Sequence, residues 1–284
     1  MKALCLFLML ASASAFASGG TLTSYTTIYN GMTRYYDVYV PAMVAPNAAL
    51  WVMLHPTTQG TATTPPGEFD LGPMEALADA NKFIVLWPIS TYVETNQSWF
   101  WDAYFLCYIW TVCPDDSGFI RSLIVQEKIQ HPRITNVYVA GMSSGAFMAH
   151  RVGVDSADLV SAVGAASGQI YAEDTTNTMP EPVKPVAVLM LNGDADTVVV
   201  YCGQTGHGWG HSSFPASDVS LDYWAHANAC KQLLLPLCTA NGQATEVTEE
   251  TCGNVTFMRE QGVGHMWVAG TETVMWNFFS ANAR

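Results

Sequence analysis

Apolar positions along the 284-residue chain recur by turns at a spacing of two and at helical spacing. Residues 34–40 are β-rich and partly alternating, and Pro41 ends the run. Residues 49–54 and 83–87 are short apolar runs suited to buried strands, with a helical stretch at 73–81 between them. Over 116–129, Phe119, Ile120, Leu123, Ile124 and Ile129 fall at helical spacing. A strand at 137–140 runs into a helix at 144–152. Further strands are expected at 185–191 and 255–258, and helices at 218–229 and 272–281. Strands alternating with helices imply βαβ units and a mostly parallel sheet covered on both faces, here in one α/β domain. Ligands on such sheets bind beyond the carboxyl ends of the strands, so functional residues should directly follow strands.

The first seventeen residues stand outside that pattern. A short basic start at Lys2, an apolar run over 3–10 and small residues ending Ala15-Phe16-Ala17 have the layout of a cleavable secretory signal, cut after Ala17. Residues 18–284 are then the mature domain, secreted or periplasmic. No later segment is apolar for long enough to be a membrane anchor. Formal charge moves from −13 to −14 when Lys2 leaves, and so acidic a chain repels phosphate backbones; nucleic acid is not an expected partner. Cys5 leaves too, and six cysteines remain: Cys107, Cys113, Cys202, Cys230, Cys238 and Cys252. An even count behind a signal reads as three disulfides, and no C-x-x-C pair points to metal. Cys107–Cys113 would close a short loop. Cys230–Cys252 would tie the end of a helix to the strand before Val255, which leaves Cys202–Cys238. Asn96 and Asn254 head glycosylation sequons.

The chemistry concentrates after strands. Gly141-Met142-Ser143-Ser144-Gly145 is a G-x-S-x-G turn between a strand and a helix, the context in which that pattern presents a nucleophilic serine. Ser143 is the candidate nucleophile, and the backbone N–H of Ser144 would face the oxygen of a carbonyl it attacks. A serine hydroxyl needs a general base. His265, in Gly262-Val263-Gly264-His265-Met266-Trp267, follows a strand and precedes the last helix, and is the candidate base. His150 lies on the helix leaving the turn, packed or exposed there. His226 reads as structural within a helix, and His207 and His211 as parts of a solvated Gly-rich loop. An acid orienting His265 should follow strand 185–191, where Asp194 and Asp196 both qualify. The N–H of Thr57, after strand 49–54, is the candidate second oxyanion donor, because Pro56 has none.

Taken in order, these pieces resemble secreted α/β-hydrolase esterases of the polyhydroxybutyrate depolymerase and feruloyl/acetylxylan esterase group. The likeness runs from about Gly31 to the C-terminus. It is carried by Arg34-Tyr35-Tyr36, LHPTTQ at 54–59, DDSGFI at 115–120, GMSSGAFMAH at 141–150, NGDADTVVVY at 192–201 and GVGHMW at 262–267. The resemblance implies an α/β-hydrolase fold with Ser143, Asp196 and His265 as the catalytic triad, Thr57 and Ser144 as oxyanion donors, and no cofactor or metal. It chooses Asp196 over Asp194. The chain departs from the family pattern at Pro56, Asn192 and Val200, where the family has glycine, histidine and proline.

The stretch 99–110 is densely aromatic and precedes the serine turn. Trp99 and Trp101 read either as a platform for a polyester chain or aromatic acyl group, or as core under a disulfide-closed loop. Trp267, two residues after His265, would form another wall. The expected activity is serine-dependent hydrolysis of a carboxylic ester, polymeric or small, by a monomer. A serine peptidase and a non-catalytic binder on a hydrolase scaffold are the alternatives.

Overall fold

The computed structural model describes residues 19–63, 73–103, 114–170, 180–203 and 214–284. Twelve strands are present among them: β1 (Thr21–Tyr29), β2 (Met32–Val40), β3 (Ala48–Leu54), β4 (Thr58–Gln59), β5 (Ile84–Pro88), β6 (Thr91–Val93), β7 (Ser98–Phe100), β8 (Ile134–Met142), β9 (Ala162–Ala166), β10 (Ala187–Gly193), β11 (Glu249–Cys252) and β12 (Val255–Glu260). The helices are α1 (Met74–Asn81), α2 (Asp116–Gln130), α3 (Ser144–Asp155), α4 (Ser217–Ala227) and α5 (Thr271–Ala281). Every strand and helix expected from the periodicity is present, with shifted ends. The expected signal segment and Cys107–Cys113 lie outside the described residues, as do His207 and His211.

Nine strands form one sheet in the order β1-β2-β5-β3-β8-β9-β10-β12-β11. The run from β5 to β12 is parallel, while β2 and β11 join it antiparallel. The central strand β3 is buried along all seven residues. Its alternation sends Leu50, Val52 and Leu54 to one core and Ala49, Trp51 and Met53 to the other. On the first face lie α2 (Phe119, Ile120, Leu123, Ile124), α3 (Ala146, Phe147, Ala149, Val152) and α4 (Leu221, Trp224). On the second lie α1 (Met74, Ala78) and α5 (Met275, Phe279). A nonpolar helix face against each side of a parallel sheet is the arrangement the alternation predicts.

Three features escape the sequence pattern. The edge strand β1 is exposed along most of its length and has no apolar face. The strand β9, Ala-Val-Gly-Ala-Ala, is built from small residues because a Cβ on Gly164 would lie 2.8 Å from the Met275 sulfur and 2.9 Å from the Phe279 ring. A small sheet, β4-β7-β6, rests beside the main one. Disulfides join Cys202 to Cys238 and Cys230 to Cys252, the pairs expected. Such bonds belong to an oxidising compartment. Among the described residues no helix is long and apolar enough to cross a membrane.

Candidate active site

Strand β8 ends at Met142 and α3 starts at Ser144, so Ser143 must reverse the chain within one residue. It does so at φ 54° and ψ −123°, a left-handed conformation that strains a residue with a Cβ. Its own backbone is fixed on both sides. The N–H donates to Ala166 O at 3.0 Å, and the carbonyl accepts from the N–H of Ala146 and Phe147 at 2.9 and 3.1 Å. The turn also needs glycine at 145. A Cβ there would sit 2.2 Å from Leu54 O and 2.7 Å from His55 O, both backbone atoms of the chain leaving β3. The start of α3 and the loop after β3 are thereby pressed together.

Two further strand ends complete the constellation. His265, between β12 and α5, brings Nε2 to 2.9 Å from Ser143 Oγ. Its Nδ1 lies 2.7 Å from Asp196 Oδ2, in the turn after β10. An ionised carboxylate only accepts, so Nδ1 carries the proton and Nε2 is left to accept from the serine hydroxyl. The Asp196 side chain is 1 % exposed, and its other oxygen accepts from the N–H of Val198 and Val199 at 2.8 and 2.9 Å. Asp194, the rival acid, does something else. Its Oδ1 accepts from the N–H of Gly262 at 2.6 Å, and its Oδ2 pairs with Arg259 Nε at 3.0 Å. One aspartate of the turn thus meets the imidazole, and the other holds the loop that carries it.

That loop is tied at more points. Ala195 N–H donates to Val263 O at 3.0 Å. Gly193 approaches the same carbonyl so closely that a Cβ would lie 2.2 Å from it. Ser167, at the end of β9 with φ 50°, donates its hydroxyl to Met266 O at 3.3 Å. Neither Asp194 nor Ser167 was assigned this role from sequence. Ser167 follows a strand, which is the signal that marks it, but the small residues of β9 carry no strand pattern.

Thr57 lies where expected, between β3 and β4, half-buried. Leu54 pairs with Gly141, which sets this loop beside the serine turn. Ser144 is the buried first residue of α3. The aromatic platform needs correction. Trp101 is 0 % exposed and Trp99 4 %, so both are core residues. Trp101 donates its indole N–H to His55 O at 2.8 Å. From below, Asp116 holds that segment: Oδ2 accepts from Asp102 N–H at 2.8 Å, and Oδ1 accepts from Thr91 Oγ1 at 3.0 Å and from buried Arg34 at 2.7 Å. Trp267 stays half-buried, with Nε1 3.4 Å from Glu272 Oε2. His150 is buried, accepts the Trp224 indole N–H at 2.9 Å, and is pushed down to about 4 by burial. His226 lies within a helix, as expected, and on its outer side. It is 81 % exposed on α4, 3.4 Å from Glu181.

The fold and this arrangement at the strand ends define an α/β-hydrolase. The profile of the family described as "Esterase PHB depolymerase" matches residues 34–204, more than half of the chain, and the chain belongs to that family. It is accordingly a hydrolase of the esterase type. No curated protein sequence matches the chain. Among solved structures, an acetyl xylan esterase from Aspergillus awamori aligns at 19 % identity and TM-score 0.63, over 91 % of this chain and 100 % of that one. The feruloyl esterase module of Clostridium thermocellum, as an S954A mutant complexed with sinapinate, aligns at 13 % identity and TM-score 0.55, over 93 % and 89 %. Poly(aspartic acid) hydrolase-1 from Sphingomonas sp. KT-1 aligns at 16 % identity and TM-score 0.57, over 92 % and 99 %. At these identities the likeness is one of fold.

Proposed function

We propose that the chain is a secreted serine carboxylic-ester hydrolase that works through an acyl-enzyme, with Ser143 as nucleophile, His265 as general base and Asp196 as its orienting acid. The hydrogen-bonded line Ser143 Oγ, His265 Nε2, His265 Nδ1, Asp196 Oδ2 carries this reading. As Ser143 attacks the ester carbonyl, its proton passes to Nε2. The buried carboxylate of Asp196 stabilises the imidazolium that forms. The N–H groups of Thr57 and Ser144 receive the charge gathering on the carbonyl oxygen, each worth about 3–4 kcal/mol in comparable sites. His265 then protonates the leaving alcohol, and a water deprotonated by His265 hydrolyses the acyl-enzyme. Nucleophile and proton carrier are both side chains of the chain, so the route needs no cofactor.

Secretion is supported by the two disulfides and the leader-like N-terminus. For the substrate, membership of the PHB depolymerase esterase family favours hydroxybutyrate-type esters. The likeness in fold to an acetyl xylan esterase and a feruloyl esterase favours plant cell-wall esters. The test is turnover of a p-nitrophenyl ester, methyl ferulate, acetylated xylan and a hydroxybutyrate oligomer by the wild type and Ser143→Ala. Serine-dependent turnover is expected, and the best substrate assigns the class. Equal rates for both proteins on every substrate would refute the proposal.

A further inference from the structure

We propose that His55 is a positioning residue for oxyanion stabilisation: its Nδ1–H holds the Pro56 carbonyl and so turns the Thr57 N–H toward the oxygen of the attacked ester. The proposal rests on the serine esterase reading above. It deepens that reading at the point where the chain departs from its family, His-Pro in place of His-Gly.

His55 is 2 % exposed at the end of β3. Its Nε2 accepts the backbone N–H of Ser90 at 3.1 Å. A neutral imidazole has one proton, so Nδ1 carries it and donates to Pro56 O at 2.6 Å. Burial pushes His55 down to about 4, which keeps the ring in this one-donor, one-acceptor form near neutrality. Thr58 Oγ1 donates to the same carbonyl at 3.1 Å. Both acceptor positions of Pro56 O are therefore engaged by side chains. The chain contains no cis peptide among the described residues, and in a trans peptide the N–H points opposite to the C=O. Anchoring Pro56 O at His55 thus sends the Thr57 N–H away from His55. The preceding carbonyl, His55 O, is held by Trp101 Nε1 at 2.8 Å, so two successive peptide planes are set by side chains. Leu54 O and His55 O press on Gly145, which puts this loop against the helix whose first N–H belongs to Ser144. Proline at 56 fits the design. It restricts φ and brings no N–H of its own to compete. A rigid peptide needs an anchor at its carbonyl, and His55 with Thr58 supplies it.

The test compares Ser143→Ala, His55→Asn, His55→Gln and His55→Leu on a p-nitrophenyl ester, with inhibition by a trifluoromethyl ketone. Asparagine can put an amide N–H where Nδ1 stood. Glutamine reaches the Nε2 position and drops the donor to Pro56. Removing an oxyanion donor outright lowers kcat about 10²–10³-fold, and misdirecting one should cost on the order of 10–100-fold in His55→Gln and His55→Leu. His55→Asn should stay within about threefold of wild type, with KM nearly constant throughout, because the interaction strengthens only as charge develops. Inhibitor affinity should fall in parallel with kcat. A kcat for His55→Asn at or below that of His55→Gln, or a loss confined to KM, overturns the proposal. Should the His55 variants fail to fold, the wild type decides: nitrogen-15 NMR of its imidazole should show Nδ1 protonated and Nε2 bare, and a proton on Nε2 would overturn the proposal. Full activity in Ser143→Ala would sink the serine reading and this proposal with it. A His55 failure beside an inactive Ser143→Ala sinks this proposal alone.

Discussion

Substituting Gly145 by alanine sets two opposing effects against each other. The residue is helical, and Ala exceeds Gly there by about 1 kcal/mol. Helix propensity alone therefore predicts a more stable protein. The contact predicts the reverse. The new methyl would lie 2.2 Å from Leu54 O, whereas real Cβ atoms stay at 3.0 Å or beyond, so α3 and the loop after β3 must part by at least 0.8 Å. Both sides of the contact are backbone, with no side chain free to swing away. Overpacking of this kind costs roughly 1–3 kcal/mol, and the rigid partner argues for the upper part of that range. The expected net is a loss of about 1–2 kcal/mol. At roughly 2–4 °C per kcal/mol, Tm should fall by several degrees. The displaced loop carries Thr57, and a misplacement near 1 Å can lower kcat on the order of 10²-fold. Gly153→Ala is the control on the same helix. Its Cβ would meet the side chains of Val163 and Trp224, at 2.6 and 3.3 Å, away from the serine turn. It should leave kcat unchanged. Calorimetry and initial rates on both variants decide the matter. A Gly145→Ala protein with raised Tm and wild-type kcat would refute the close-approach argument.

The two aspartates after β10 should separate in kinetics. Asp196→Asn should lower kcat by about 10³–10⁴-fold with little change in Tm, because an amide can offer Nδ1 the wrong hydrogen-bond partner. Asp194→Asn should cost about 1–2 kcal/mol in urea unfolding and only about tenfold in kcat, through the Gly262 and Arg259 contacts; equal kcat losses would contradict the division of labour. Replacing Cys202 and Cys238 together by alanine releases a 36-residue separation, worth about 3.8 kcal/mol by loop entropy at 25 °C, and an unchanged denaturation midpoint would remove the staple from the account. Glu127 has a side chain 1 % exposed, and burial raises it to about 7. The folded state then holds a proton that the unfolded chain releases near 4.5, so stability should fall by about 3 kcal/mol as pH rises from 4.5 to 7. Glu127→Gln should flatten that slope in urea titrations at pH 5 and 8; a slope identical to wild type would assign it elsewhere.

What was legible in the sequence, and what was not, follows from the kind of signal each part carries. The strands that build the site are buried on both faces, and apolar runs bounded by turns announce them. The serine and histidine sit at the ends of such runs, so their places could be read. β1 was lost because a strand exposed along both faces has no apolar side, and β9 because packing against Met275 and Phe279 demands small residues that read as helix formers. The tryptophans were ambiguous for a related reason. A dense aromatic run says that much area is buried, not against what, and Trp99 and Trp101 spend theirs on the core. Asp194 and Asp196 mark the sharper limit. Both follow the same strand, both are acidic, and no periodicity separates them. Only the path of the partner loop does. Once Val263 O lies against Gly193 and Ala195 N–H, Gly262 falls to the nearer aspartate and His265 to the farther. The same holds for His55, which reads from sequence as the histidine of a motif. Its chemistry appears only when Ser90 is seen to take Nε2, because that contact puts the proton on Nδ1 and directs it at Pro56.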